Sequence, residues 1–140
     1  MTDPLRAATA DSALAQAYHE TLSAIRITNV ATVPQLEVQT LTDAATVTPD
    51  CDNYQFGILT SLSQTTTIAN PTGNPMDGQR YTLRIKSSSS RSLSWGSQYR
   101  GSLGQGLPSA TTGSSKTDYL MFVFDAADSK WDFLAKNFGF

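Results

Sequence analysis

Residues 70–79 read NPTGNPMDGQ, and residues 80–86 follow them directly as RYTLRIK. The first ten are rich in turn formers, because glycine reaches positive φ without steric cost and proline fixes φ. In the next seven, apolar side chains alternate with polar ones, which is the pattern of a strand with one buried face. The sequence therefore predicts a loop that leads into a β-strand.

Shorter segments on either side of this strand carry a similar signal. Residues 35–39, 54–58 and 93–95 alternate apolar and polar side chains, and residues 65–69 are rich in β-branched residues. Each of these segments is predicted to be a strand. Residues 96–117 are rich in glycine, serine and threonine, so we expect a long loop there.

The last predicted strands form a hairpin. Residues 118–125 include YLMFVF, which is apolar on both faces, so this strand is expected to be the most buried, with both faces covered. Residues 126–130 turn the chain and residues 131–135 alternate again. No helical segment separates these strands. The sequence therefore predicts a mainly β fold, namely an antiparallel β-sandwich or jelly-roll-like domain.

One helix is predicted ahead of the strands. Residues 10–26 lack proline and glycine, and four apolar side chains recur at spacings of four, four and three: Leu14, Tyr18, Leu22 and Ile25. These four share one helix face, which packs either on the domain's own core or on a partner. Residues 27–34 lose this period and end in a proline, as in an extended arm. We expect residues 1–34 to be the helix and arm, and residues 35–140 the β domain.

Composition limits the class of protein. A chain of 140 residues fits one domain. The net charge of −2, with 16% charged residues and no run of like charge, does not predict nucleic-acid binding. No apolar stretch approaches the roughly 18 residues of a spanning helix, and the N-terminus lacks a basic and then apolar leader. We expect a soluble protein that is not exported by the Sec route.

The residues that usually carry enzyme chemistry are few and scattered. His19 is the only histidine and Cys51 the only cysteine, and they belong to different parts of the chain. One of each cannot supply a zinc tetrad, and a single cysteine is usually a small buried hydrophobe. The aspartates, such as Asp50 and Asp52, fit turns and strand ends. No catalytic residue, cofactor or metal site is expected, and an enzyme such as a depolymerase ranks last among the hypotheses.

Three residues near the predicted long loop suggest a contact surface. Trp95, Tyr99 and Arg100 combine aromatic rings with a guanidinium group, which is how a sugar or a protein partner is gripped by stacking. Trp95 continues an alternating strand and is better explained as a core residue. Tyr99 and Arg100 are expected to be freer, and they are the candidate contacts for a receptor glycan.

Several parts of the sequence together carry a resemblance to a known class of proteins: residues 74–86, 93–96, 99–100 and 125–132, with Tyr119. They resemble a β-rich module of tailed-bacteriophage virion proteins, found in small head-fibre or capsid-decoration proteins and in distal parts of tail fibres. The resemblance covers residues 35–140. Its most specific parts are the Pro-x-Asp-Gly-Gln turn at residues 75–79 and the segment AADSKWD at residues 126–132.

The resemblance implies a jelly-roll-like, commonly trimeric domain displayed on the virion. It predicts a non-enzymatic structural protein, made in the host cytoplasm, whose partners are the major capsid protein or other virion proteins. Because the chain is short and starts at its own methionine, a capsid decoration protein is favoured. The alternative is a tail-fibre or receptor-binding tip that recognises a host surface glycan through Tyr99 and Arg100. The stripe of Leu14, Tyr18, Leu22 and Ile25 is then expected to contact the capsid or a neighbouring subunit.

Overall fold

The computed structural model describes residues 36–140 of the chain. The predicted helix, with Leu14, Tyr18, Leu22 and Ile25, and the predicted arm at residues 27–34 lie outside the described residues. Within residues 36–140 the secondary structure is β, without a helix. The strands are β1 (Val38–Thr40), β2 (Thr46–Val47), β3 (Phe56–Leu62), β4 (Thr66–Ile68), β5 (Arg80–Ser87), β6 (Leu93–Trp95), β7 (Tyr99–Arg100), β8 (Lys116–Asp125) and β9 (Lys130–Asn137).

The first six strands alternate between two sheets. β1, β3 and β5 lie side by side in a six-stranded sheet of order β1-β3-β5-β8-β9-β7, whereas β2, β4 and β6 form a three-stranded sheet. The chain therefore makes three successive coils, each with one strand in either sheet. Every pairing between coils is parallel, with Phe56 opposite both Val38 and Thr82, for example.

The turns of neighbouring coils are also joined. Asp50 and Thr72 form a parallel bridge, and the Cys51 N–H donates to the Thr72 carbonyl at 3.0 Å. Asp52 Oδ1 accepts a hydrogen bond from the Asn74 N–H at 2.7 Å. The loop predicted at residues 70–79 is thus stacked on the turn of the preceding coil.

The remaining strands close one end of the coil stack. β8 pairs antiparallel with β5, β9 pairs antiparallel with β8, and β7 adds to β9 in parallel. The terminal hairpin is confirmed. The prediction of an antiparallel fold is wrong for the described residues, because two of the seven strand pairings are antiparallel and five are parallel, so the six-stranded sheet is mixed. Parallel neighbours need a long crossover, and here a strand in the second sheet supplies it in place of a helix.

Buried hydrophobic residues from both sheets form one core cluster. Ile68 of β4, Ile85 of β5 and Leu120 of β8 are completely buried. The alternation predicted for residues 80–86 is confirmed, because Tyr81, Leu83 and Ile85 point into this core.

The prediction that the strand at residues 118–125 is covered on both faces is wrong. β8 is a central strand, and its Leu120, Phe122 and Phe124 are buried. On its other face Tyr119 is half-buried and Met121 is 42% exposed. The outer face of the six-stranded sheet is therefore open in the described part of the chain.

Candidate functional site

Strand β7 places Tyr99 in the core. Its ring centroid lies 5.1 Å from that of Trp95 and 5.2 Å from that of Phe122, and its hydroxyl donates to the Ala69 carbonyl at 3.1 Å. Only 8% of Tyr99 is exposed, and this burial raises its pKa. The expectation that Tyr99 is free at the surface is therefore wrong. A ligand contact by Tyr99 would require its ring to leave this cluster.

Arg100, the next residue, is engaged by three carboxylates. Its Nε and Nη2 donate to the two oxygens of Asp132 at 2.7 and 3.0 Å, which makes a bidentate pair. Its Nη1 donates to Asp128 at 2.7 Å, and Nη2 also reaches Asp125 at 3.2 Å. These hydrogen bonds, with Asp132 first, raise the arginine pKa further above its usual value. The guanidinium group is used within the fold, although the side chain is 40% exposed.

The Arg100 cluster fastens β7 to the β8–β9 hairpin. Asp125 also accepts hydrogen bonds from the N–H groups of Ala127 and Asp128 within the hairpin turn. Beside it, the Lys130 ammonium donates to the Ser97 carbonyl at 2.7 Å. This arrangement orders the turn and holds a two-residue edge strand in place, so its geometry indicates a structural role.

Cys51 and the neighbouring aspartates behave as the sequence predicts. Cys51 is 2% exposed and its thiol donates to the Thr72 carbonyl at 2.9 Å, while burial and then the charge of Asp52 raise its pKa. Asp50 accepts hydrogen bonds from the Asp52 N–H and from Asn53, as in an Asx turn. In residues 36–140 no group of three or more His, Cys, Asp or Glu side chains is arranged to hold a metal ion.

The outer face of the six-stranded sheet carries a cavity that the sequence did not indicate. The register places Ile58 of β3, Arg84 of β5 and Tyr119 of β8 in one row across the sheet. Two residues further along β5, on the same face of the sheet, Lys86 pairs with Thr117 of β8. Together with Thr60, these six side chains line a cavity of about 260 Å³.

The sequence predicts where two of the lining residues face, but it does not predict the cavity itself. The alternation in RYTLRIK assigns Arg84 and Lys86 to the outer face of β5, as the structure confirms. Nothing local in the sequence shows that Tyr119 and Thr117, more than 30 residues further along, lie beside them. That neighbourhood depends on the antiparallel pairing of β5 with β8.

Comparisons with known proteins find no matching family model, no matching curated protein and no matching solved structure. Among the described residues no helix is present that has the length and apolar character to cross a membrane. The observations define a mainly β protein with a mixed sheet.

Proposed function

We propose that this chain is a non-enzymatic structural protein of a bacteriophage virion, a capsid decoration protein of the head-fibre or cement type. It is displayed on the particle surface as a homotrimer, and its partner is the major capsid protein or another virion protein. The proposal starts from the sequence resemblance over residues 35–140. It is supported by the way in which the two most specific parts of that resemblance are used in the fold.

The Pro-x-Asp-Gly-Gln turn and the AADSKWD segment contact each other. Asp77 Oδ1 accepts a hydrogen bond from the Ala126 N–H at 3.0 Å, although the two residues are 49 positions apart. Beside it, the Gly78 N–H donates to the Phe124 carbonyl and the Phe124 N–H donates to the Gln79 carbonyl, both at 2.8 Å. This hydrogen-bonded contact between the two motifs is the observation that carries the proposal, because it makes both motifs parts of one structural element of the module.

We further propose that the two sheets form a β-sandwich. Val47, Ile68 and Leu93 of the three-stranded sheet belong to the same buried cluster as Leu83 and Leu120 of the six-stranded sheet. A common core between two sheets is the defining feature of a sandwich. The five parallel pairings depart from a jelly roll, which is built from antiparallel strands.

In this proposal residues 1–34 attach the protein to the particle. Leu14, Tyr18, Leu22 and Ile25 contact the capsid or a neighbouring subunit, and the β domain projects outward. A modest interface is sufficient, because three linked copies gain affinity through their high effective concentration. Apolar contact contributes about 25 cal/mol per Å² before the costs of association are subtracted.

The proposal is tested by cryo-electron microscopy of purified virions. Density for the β domain on the capsid lattice is expected, with threefold symmetry. A variant that lacks residues 1–34 is expected to remain folded by circular dichroism but to be missing from the particles. Tyr18→Asp should reduce occupancy, whereas Gln16→Asp, off the apolar stripe, should not. Absence of the full chain from particles would refute the proposal.

Density at the tail alone would instead favour the alternative, a tail-fibre or receptor-binding tip that recognises a host surface glycan. That alternative needs a contact surface other than the one predicted from the sequence. Tyr99 is buried among aromatic rings, and the Arg100 guanidinium is shared among Asp125, Asp128 and Asp132.

A further inference from the structure

The cavity on the outer face of β3, β5 and β8 presents two cationic groups. Arg84 and Lys86 both line it, and within residues 36–140 neither has a carboxylate within 4.0 Å. By contrast, Arg100 shares its guanidinium among three aspartates. Because the whole chain has a net charge of −2, any attraction for an anion at this cavity is a local property of the site.

The Arg84 guanidinium is held in position by an aromatic ring. Its central carbon lies 5.9 Å from the ring centroid of Phe56, which is within the range of a cation–π contact. Arg84 is also half-buried between its neighbours. A guanidinium held in this way loses less side-chain entropy than an unrestrained one when it binds a carboxylate through two parallel hydrogen bonds.

The other lining groups are hydroxyls and apolar surface. Thr60, Thr117 and Tyr119 supply three hydroxyl groups, and Ile58 and the Tyr119 ring supply the apolar part. The volume of about 260 Å³ is smaller than the roughly 300–1,000 Å³ of sites for drug-sized ligands. The cavity therefore fits a ligand of about one ring that carries hydroxyl groups and a negative charge.

We propose that this cavity binds a carboxylate-bearing sugar, such as a uronic or sialic acid residue of an acidic glycan. Arg84 and Lys86 bind the sugar carboxylate. The hydroxyls of Thr60, Thr117 and Tyr119 form hydrogen bonds with the sugar hydroxyls. Ile58 and the Tyr119 ring contact the apolar face of the sugar. An acidic peptide fits less well, because three hydroxyl groups beside one small cavity match a sugar better than an extended chain. The inference does not depend on attachment to a virion.

The test is an NMR titration of the full-length ¹⁵N-labelled protein with matched probes. Methyl galactopyranosiduronate and the methyl glycoside of N-acetylneuraminic acid supply the carboxylate. Methyl galactopyranoside differs from the first probe only by a hydroxymethyl group in place of that carboxylate, and acetate has the carboxylate without the sugar. We expect one of the carboxylated sugars to bind with a dissociation constant of the order of millimolar, and both controls to bind at least about tenfold more weakly.

Variants locate the site. Arg84→Gln and Lys86→Gln are each expected to weaken binding of the acidic sugar by about tenfold or more, since each removes a charge-assisted hydrogen bond. Arg80→Gln is the matched control, because Arg80 is an exposed arginine of the same strand that does not line the cavity. Tyr119→Phe removes one hydroxyl while keeping the ring. It should weaken binding less than the loss of Arg84 does.

Four results would overturn the inference. The first is failure of both carboxylated sugars to shift the resonances of Ile58, Arg84 and Tyr119, and the second is equal binding of the neutral sugar. Equal binding of acetate would show an anion site without sugar recognition. Tighter binding of a tetraglutamate peptide, with shifts extending to Val38 and Met121, would indicate an acidic protein partner. Because the assay contains no particles, none of these results bears on the proposed function.

Discussion

Arg100 and Asp132 form a bidentate pair between the edge strand β7 and its neighbour β9, with Nε–Oδ1 and Nη2–Oδ2 distances of 2.7 and 3.0 Å. The two residues are also register partners in the parallel β7–β9 pairing. Side chain and backbone therefore fix the same contact. This is significant for a strand of two residues, since it has few ladder hydrogen bonds of its own.

Arg100→Gln is expected to lower the midpoint of thermal unfolding. The substitution removes the cation shared by Asp125, Asp128 and Asp132 and leaves three carboxylates close together. Arg80→Gln, an equal loss of charge on an exposed residue of β5, is the control and should change the midpoint little. Calorimetry at low salt and at about 1 M NaCl would measure both, and the difference should shrink at high salt. Equal midpoints for the two variants would contradict a fastening role for Arg100.

Gly113→Ala is expected to be more destabilising than Gly78→Ala. Both glycines have positive φ, +77° and +78°, so alanine pays about 1–2 kcal/mol of backbone strain at either position. At Gly113 the added Cβ would also collide with backbone atoms of Ser89 and Ser90, whereas at Gly78 it would meet open space. Urea unfolding measures the stability of both variants, and the difference between them gives the effect of the collision alone. A similar loss of stability in both would show that the Ser89–Ser90 backbone moves aside at little cost.

The sequence predicted local structure better than it predicted the arrangement of strands. The strand at residues 80–86 is predicted from the sequence because alternation at period two identifies a buried face. The same pattern says nothing about which strand lies beside it. The alternation of β1 to β6 between two sheets, and hence the parallel pairing, depends on contacts between coils.

Tyr99 shows the same limit within the candidate site. It lies in a segment rich in glycine and serine, which correctly predicts a loop for most of residues 96–117. Its burial results from distant partners, namely Phe122 and the Ala69 carbonyl. Likewise, Arg84 was predicted to face outward, but its cavity is completed by Tyr119 of another strand.

Ile85→Ala is expected to cost about 2–5 kcal/mol of unfolding free energy, because the side chain is completely buried and its loss leaves a cavity in the core. Leu103→Ala is the control. Leu103 is fully exposed in the loop between β7 and β8, so its truncation should change stability by less than about 0.5 kcal/mol. Chemical denaturation measures both. A small effect at Ile85 would mean that β5 is not packed as described.

Alkaline pH is expected to destabilise the fold through Tyr99, Tyr81 and Cys51. Burial raises the pKa of each above its ordinary value of 10.0 for the tyrosines and 9.0 for the cysteine. Below these ordinary values both folded and unfolded chains are protonated, and these groups add no pH dependence. Above them the unfolded chain loses protons that the folded chain keeps, so the free energy of unfolding falls as the pH rises.

Tyr99→Phe should remove one of these contributions. Each group that is ionised only in the unfolded chain lowers the unfolding free energy by about 1.4 kcal/mol per pH unit. The variant is therefore expected to lose stability less steeply than the unsubstituted protein above about pH 10. At neutral pH it lacks the hydrogen bond to the Ala69 carbonyl, so it is expected to be about 0.5–1.5 kcal/mol less stable than that protein. Tyr54→Phe, at a half-buried tyrosine, is the matched control for the loss of a hydroxyl. Urea unfolding of the three proteins from pH 7 to 11 measures the slopes. An unchanged slope in Tyr99→Phe would mean that Tyr99 ionises as readily in the folded chain as in the unfolded one, and it would contradict the burial of this side chain against Trp95 and Phe122.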